Sequence, residues 1–350
     1  MTAVAPETPH RTSTARLGAL TLETGVVLPD VTLAYDTYGT LTPQRDNAIL
    51  VEHALTGDSH AHEWWQGLIG PGRPLDTDRW FVVCANVLGG CSGSTGPTSP
   101  RSADGDRDGE PYGSEFPLIT IRDTVHAELM LADQLGIDVW QAVLGGSMGG
   151  ARALETALIA PDRVARTGVF AAPAFSDADQ IAWGHIQIAA IRADRDRGLG
   201  IARQIAHLTY RADAELNHRF EARQQATNAP ADRPGERYYA IQSYLDHQAA
   251  KLQGRFDPDA YVTLSQALMD HDVRRGRSTD LRRALAGAGG RFLVAAVSSD
   301  RLYTPPQVRL LADSLPAGAE FRTITSWAGH DGFLTESDQV GSLISELLAS

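Results

Sequence analysis

The sequence predicts an α/β fold, a mainly parallel, doubly wound sheet with a helical insertion before its last strands. Three observations carry this. Short apolar runs alternate with stretches of helical spacing along most of the 350 residues. One run, residues 139–144, leads into Gly145-Gly146-Ser147-Met148-Gly149, and Ala151, Leu154, Ala157 and Leu158 then recur at helical spacing. From 176 to 287 helical patterns dominate, and after them the strand–helix rhythm resumes.

The elements follow in order. Residues 17–38 largely alternate apolar and polar positions, with Leu20, Leu22, Leu28, Val31, Leu33 and Tyr35 on the apolar side. Gly25 and Pro29 punctuate them, which predicts an antiparallel hairpin. Residues 47–53 and 79–86 read as buried strands. The first ends in Ala54-Leu55-Thr56-Gly57-Asp58, the second in a glycine-rich loop over 88–97. The polar stretch 101–112 is expected to be loop. Ile121, Val125, Leu129, Leu131 and Leu135 predict a helix over 120–135. Strands are expected at 139–144 and 166–172. Within the insertion, 180–191, 200–208, 238–252 and 261–269 have helical spacing. A strand at 291–297 ends in Ser298-Ser299-Asp300, and prolines open a helix over 305–315. A strand at 320–325 runs toward Gly329-His330-Asp331, and 338–349 close the chain as a helix. The expected division is a disordered tail over 1–16, an α/β core over 17–175 and 288–350, and a helical lid over 176–287.

Composition narrows the function classes. A hydrophobic share of 43% with 21% charged residues suits a soluble globular protein. No run of eighteen apolar residues exists, so no membrane span is expected. The net charge of -12 argues against nucleic acid as a partner. The Thr-, Pro- and Ala-rich start lacks the apolar stretch of a signal peptide. Cys84 and Cys91 do not suggest a disulfide framework, and a reducing cytoplasm is the expected compartment.

Strand, tight turn, helix is the setting in which Gly-x-Ser-x-Gly is a nucleophile elbow. A serine hydroxyl needs a base, usually a histidine held by a carboxylate. In such sheets the chain order is serine, acid, histidine. Ser147, Asp300 and His330 follow that order, each in a loop directly after an expected strand. The backbone N–H of Met148, next to the serine, and that of Leu55, after an earlier strand, are the expected oxyanion donors. His53, His60 and His62 lack a His-Glu-x-x-His pattern and paired cysteines, so no metal is expected. The arginines over 192–203 read chiefly as a solvated helix face. This much predicts a serine-triad α/β-hydrolase fold, which hosts esterases, peptidases, lyases and acyltransferases alike.

Residues 53–58 (His-Ala-Leu-Thr-Gly-Asp), 86–97 (Asn-Val-Leu-Gly-Gly-Cys-Ser-Gly-Ser-Thr-Gly-Pro), 145–150 and 329–331 together resemble the homoserine O-acetyltransferase family. So do 198–203, 242–245 and 255–261, and the likeness runs from about Leu17 to the C-terminus. The resemblance implies ping-pong acetyl transfer from the co-substrate acetyl-CoA to L-homoserine, in methionine biosynthesis, with no bound cofactor. It implies a lid arginine on the substrate carboxylate, at Arg203, and an aspartate on the substrate amine, at Asp331. It also implies a homodimer joined through lid helices. Two departures stand out. Trp327-Ala328 occupies the place where the family usually has Pro-Tyr, beside the pocket, and the chain between Ser147 and Arg203 is shorter than usual. Succinyl transfer, a serine acceptor and small-ester hydrolysis are the competing readings.

Overall fold

The computed structural model describes residues 10–101, 107, 109–225, 237–316 and 318–349. Ten strands are present among them: β1 (His10–Thr21), β2 (Val27–Tyr38), β3 (Ala48–Glu52), β4 (Ile69–Gly70), β5 (Leu75–Asp76), β6 (Phe81–Ala85), β7 (Ala142–Gly146), β8 (Arg166–Phe170), β9 (Arg291–Val297) and β10 (Glu320–Ile324). Eight form one sheet in the order β1-β2-β6-β3-β7-β8-β9-β10. Only β1–β2 and β2–β6 pair antiparallel; the other pairs are parallel. Every residue of β3 and β7 is buried, as expected of strands covered on both faces.

Helices α1 (Ala61–Trp64), α2 (Ile121–Leu135) and α3 (Met148–Ile159) precede β8. Helix α2 begins at a capping box of Thr120 and Asp123 and ends at Gly136 in the left-handed region, φ 67°. Between β8 and β9 run α4 (Ala178–Ala193), α5 (Arg195–Tyr210), α6 (Asp213–Phe220), α7 (Ala240–Gln253), α8 (Pro258–Met269) and α9 (Leu281–Leu285). Asp177 caps α4 through the N–H groups of Asp179 and Gln180. Helix α10 (Pro305–Ser314) joins β9 to β10, and α11 (Gly332–Thr335) and α12 (Ser337–Ala349) end the fold. One apolar cluster lies under α2 and α3, with Val143, Ala151 and Leu131; a second packs Trp65, Phe333 and α12 residues against the other face.

The expected tail over 1–16 is corrected from His10 onward. His10 to Arg16 pair with Tyr38 to Thr32 as the outer half of β1, and residues 1–9 lie outside the described residues. Most side chains of His10–Arg16 are polar and solvated, so no two-residue apolar period marks the strand; ladder hydrogen bonds to β2 hold it. The strand before Ser147 starts at Ala142 and not at 139, because Trp140 instead bridges to Val164 with its ring buried. The expected loop over 101–112 falls partly on residues 102–106 and 108, outside the described residues. Helices α1, α6 and α9 and the small β4–β5 pair had no readable period at their lengths of two to eight residues.

Candidate active site

Ser147 occupies the turn between β7 and α3 with φ 57° and ψ -124°. A side chain in that region is strained, and here the surroundings dictate it. A Cβ at Gly145 would lie 2.2 Å from the Gly149 carbonyl oxygen, and one at Gly149 would lie 2.0 Å from that of Glu52. Only glycine lets the helix start this close to the sheet.

The hydroxyl meets its partners at the strand ends. Ser147 Oγ lies 2.8 Å from His330 Nε2, and His330 Nδ1 lies 2.6 Å from Asp300 Oδ2. The other oxygen of Asp300 accepts from the N–H groups of Leu302 and Tyr303 at 2.8 and 3.0 Å, which fixes the carboxylate. All three side chains are buried. The rings of Tyr210, Tyr303 and Phe333 surround His330 at 5.3–5.8 Å between centroids. Burial works against the imidazolium, but the Asp300 charge and hydrogen bond outweigh it, with help from Asp331, and hold the His330 pKa above its ordinary value. Such an arrangement can take a proton from the serine and return it to a leaving group.

Met148 is the first residue of α3, where backbone N–H groups have no intrahelical acceptor. Leu55 lines a pocket together with Trp183, Tyr210, Met269, Leu302 and Tyr303. The loop carrying Leu55 is held by a residue whose structural role the sequence did not reveal. His53 is buried; its Nδ1 lies 2.8 Å from the Ala54 carbonyl oxygen, and its Nε2 accepts from the N–H of Val87 at 3.1 Å. Burial and the Arg152 charge push its pKa down to about 3, so the ring is neutral with Nδ1 as donor. Gly57 N–H donates to the same Ala54 carbonyl at 2.8 Å. Beneath the loop, Arg152 is fully buried between Glu52 and Glu128.

Arg203, on α5, reaches this loop as well: its Nη1 is 3.4 Å from Thr56 Oγ1 and its guanidinium lies 5.8 Å from the Tyr210 ring centroid. Its Nε is buried without a hydrogen-bond partner. Asp331 sits next to His330 and pairs with Arg211 at 3.1 Å. Arg211 also grips Glu215 at 2.6 and 2.9 Å. This cation was missed in the sequence because 120 residues separate it from Asp331. Trp327, of the Trp-Ala departure, is 57% exposed and rests on His218, 5.1 Å between ring centroids, while the buried neighbour is Ala328. Arg192, Arg195 and Arg197 are exposed, as a solvated face requires.

A family model described as alpha/beta hydrolase fold matches residues 47–337. The chain is 52% identical to a homoserine O-acetyltransferase of Thermobifida fusca (strain YX), over 94% of this chain and 91% of that protein. A crystal structure of homoserine O-acetyltransferase from Bacillus anthracis superposes with a TM-score of 0.88 at 24% identity, covering 97% of this chain and 98% of that one. An acetylester hydrolase from Corynebacterium glutamicum superposes with a TM-score of 0.82 at 26% identity, covering 97% and 96%. Hydrolase and transferase thus share this architecture, as one fold commonly hosts several chemistries. Identity of about half over nearly the whole length is what separates them here: the chain belongs to the homoserine O-acetyltransferase family of the α/β-hydrolase fold.

Proposed function

We propose that this chain transfers an acetyl group from acetyl-CoA to the hydroxyl of L-homoserine, giving O-acetyl-L-homoserine and CoA, as a step of methionine biosynthesis. His330 takes the Ser147 proton as Oγ attacks the thioester carbon. The Leu55 and Met148 N–H groups stabilise the resulting oxyanion. The C–S bond breaks, the proton passes from His330 to the CoA sulfur, and Ser147 is left acetylated. His330 then takes the homoserine hydroxyl proton, that oxygen attacks the acetyl-serine, and Ser147 leaves with the proton returned.

The observation that carries the acceptor reading is the unpartnered, buried Nε of Arg203 beside the Leu55–Thr56 loop. A guanidinium with a free donor in a dry site suits a carboxylate. Asp331, oriented by Arg211, supplies the opposite charge for an ammonium. Helices α4–α9 then act as a lid over the sheet's C-terminal edge, excluding the water that would divert transfer to hydrolysis. Large apolar side chains stay exposed on two of these helices: Ile181 and Ile186 on α4, Ile201 and Leu208 on α5. These exposed apolar side chains support a homodimer joined through the lid. Among the described residues no helix is long and apolar enough to cross a membrane.

The test is CoA release and product formation with acetyl-CoA and succinyl-CoA, each against homoserine, serine and water. Acetyl-CoA with homoserine should be fastest. A preference for succinyl-CoA or serine, or thioester hydrolysis unaffected by homoserine, overturns the proposal. Ser147→Ala should abolish the acetyl-enzyme seen by mass spectrometry without acceptor. Arg203→Ala should leave that first half-reaction intact and raise KM for homoserine at least tenfold. Loss of CoA release in Arg203→Ala would remove Arg203 from the acceptor site.

A further inference from the structure

Asp36, near the C-terminal end of β2, is fully buried, and neither carboxylate oxygen has a hydrogen-bond partner among the described residues. Burying a carboxylate without compensation costs several kcal/mol by any transfer scale (roughly 2–7 for a merely polar group). The groups that approach it are imidazoles. His60 Nε2 lies 3.8 Å from Asp36 Oδ2, and a ring nitrogen of His10, an Asp36 oxygen and a nitrogen of His60 all fall within 4.8 Å of one another. They come from three elements: the first described residue of β1, the C-terminal end of β2, and the loop between β3 and α1.

The orientation of His60 sharpens this. Its Nδ1 lies 3.3 Å from Asp58 Oδ1, and its backbone N–H donates to the same oxygen at 3.1 Å. With Nδ1–H donating to Asp58, the Nε2 lone pair faces the Asp36 carboxylate. Two acceptors then face each other at 3.8 Å, a pairing that a bound cation relieves. A carboxylate behind the distal ring nitrogen is also the usual way a metal-binding histidine is aimed. Neighbouring polar groups are engaged elsewhere. His62 Nδ1 is 3.2 Å from the Tyr38 hydroxyl, and the Cys84 thiol donates to the Asp58 carbonyl at 3.8 Å.

We infer that His10, Asp36 and His60 form a binding site for a divalent first-row transition cation such as Zn²⁺. Two imidazoles and one carboxylate are a donor set for such ions, with the remaining position open to water. Bonds of ~2.0–2.1 Å in a tetrahedron set ligand atoms about 3.3 Å apart, so the present spacing closes by small side-chain rotations. Asp36 lies on β2, three strand steps from β7, the strand that leads into Ser147. That is about 14 Å across the sheet at ~4.8 Å per step. The ion therefore clamps the outer end of β1 to β2 and to the loop after β3, and takes no part in acyl transfer. This corrects the expectation of no metal at His53, His60 and His62: the partners of His60 are Asp36 and His10, which lie far from it in the chain and are brought to it only by β1 and β2.

The test uses the full-length, tag-free chain, stripped with chelator and titrated with Zn²⁺ by calorimetry. One site per chain is expected, with a melting temperature that rises with Zn²⁺ and falls back with EDTA. His10→Gln, Asp36→Asn and His60→Gln should each weaken binding at least tenfold. His10→Gln changes only a solvated strand end, so it keeps the test valid if Asp36→Asn fails to fold. Co²⁺ should show visible absorption characteristic of imidazole ligation, lost in His60→Gln. No saturable Zn²⁺ binding by the wild-type chain, or unchanged affinity in His10→Gln and His60→Gln, overturns the proposal.

Discussion

His330 is pulled two ways. Burial among aromatic rings disfavours its charge, and Asp300 at 2.6 Å favours it more strongly. A base works only in its neutral form, so kcat/KM for the acyl donor should rise with pH through a midpoint above 6.5. Asp300→Asn removes the main stabiliser of the imidazolium, so the midpoint should move to lower pH. The same change leaves the wrong tautomer facing Ser147, and the rate should fall by roughly 10⁴. A pH–rate profile of both proteins measures the two effects, and an unmoved midpoint would mean Asp300 does not set the base. The order of Ser147, Asp300 and His330 along the chain was legible because each follows a strand of one sheet. Arg211 and the hydrogen-bonding of His53 were not, because their partners are brought near only by folding.

At the scale of elements, the elbow depends on how closely α3 approaches β3 and β7. Gly149→Ala would put a methyl 2.0 Å from the Glu52 carbonyl oxygen, and that neighbour is backbone, which yields poorly. A loss of about 3 kcal/mol or more is expected in urea unfolding, beyond ordinary overpacking of ~1–3 kcal/mol, together with loss of Ser147 acylation. The helices between β8 and β9 bear directly on the catalytic loop. A Cβ at Gly329, where φ is 75°, would lie 2.3 Å from the Tyr210 carbonyl oxygen at the end of α5. Helix α4 is tied down from the other side, where Asp177 accepts from Gln307 Nε2 of α10 at 2.6 Å. Its outer face is free, and Ile186→Glu with Ile201→Glu should convert a dimer to monomer in sedimentation analysis. A wild-type monomer at micromolar concentration would remove the lid-mediated homodimer.

The whole molecule is organised over a buried charge cluster. Arg152 of α3 stands between Glu52 of β3 and Glu128 of α2, all out of water. Burial pushes the Glu52 carboxyl up to about 7 against the pull of Arg152. Arg152 also donates to the His53 carbonyl at 3.4 Å, so the cluster joins α2, α3, β3 and the Leu55 loop. Arg152→Met strips the cation that is paired, among the described residues, with two buried carboxylates, and a loss of about 3–5 kcal/mol is expected. Guanidinium unfolding measures it; a loss under ~1 kcal/mol would show that the carboxylates are already neutral. Conversion of all three positions to apolar residues should recover much of the stability but not the loop's geometry, so the rate should stay low.

The sequence by itself determined the parallel strands of the sheet and the order of Ser147, Asp300 and His330 along it. Parallel strands buried on both faces are continuous apolar runs, helices carry their own period, and an elbow needs glycines at fixed places. These are local consequences of backbone geometry, and they survive in one dimension. What only the tertiary structure decided is every contact whose partners lie far apart in the chain. Polar β1 is a strand because β2 lies beside it, Trp327 lies exposed against His218, and Asp331 is held by Arg211. The unpartnered carboxylate of Asp36 belongs to the same class, for nothing near it in the chain shows that two histidines stand over it.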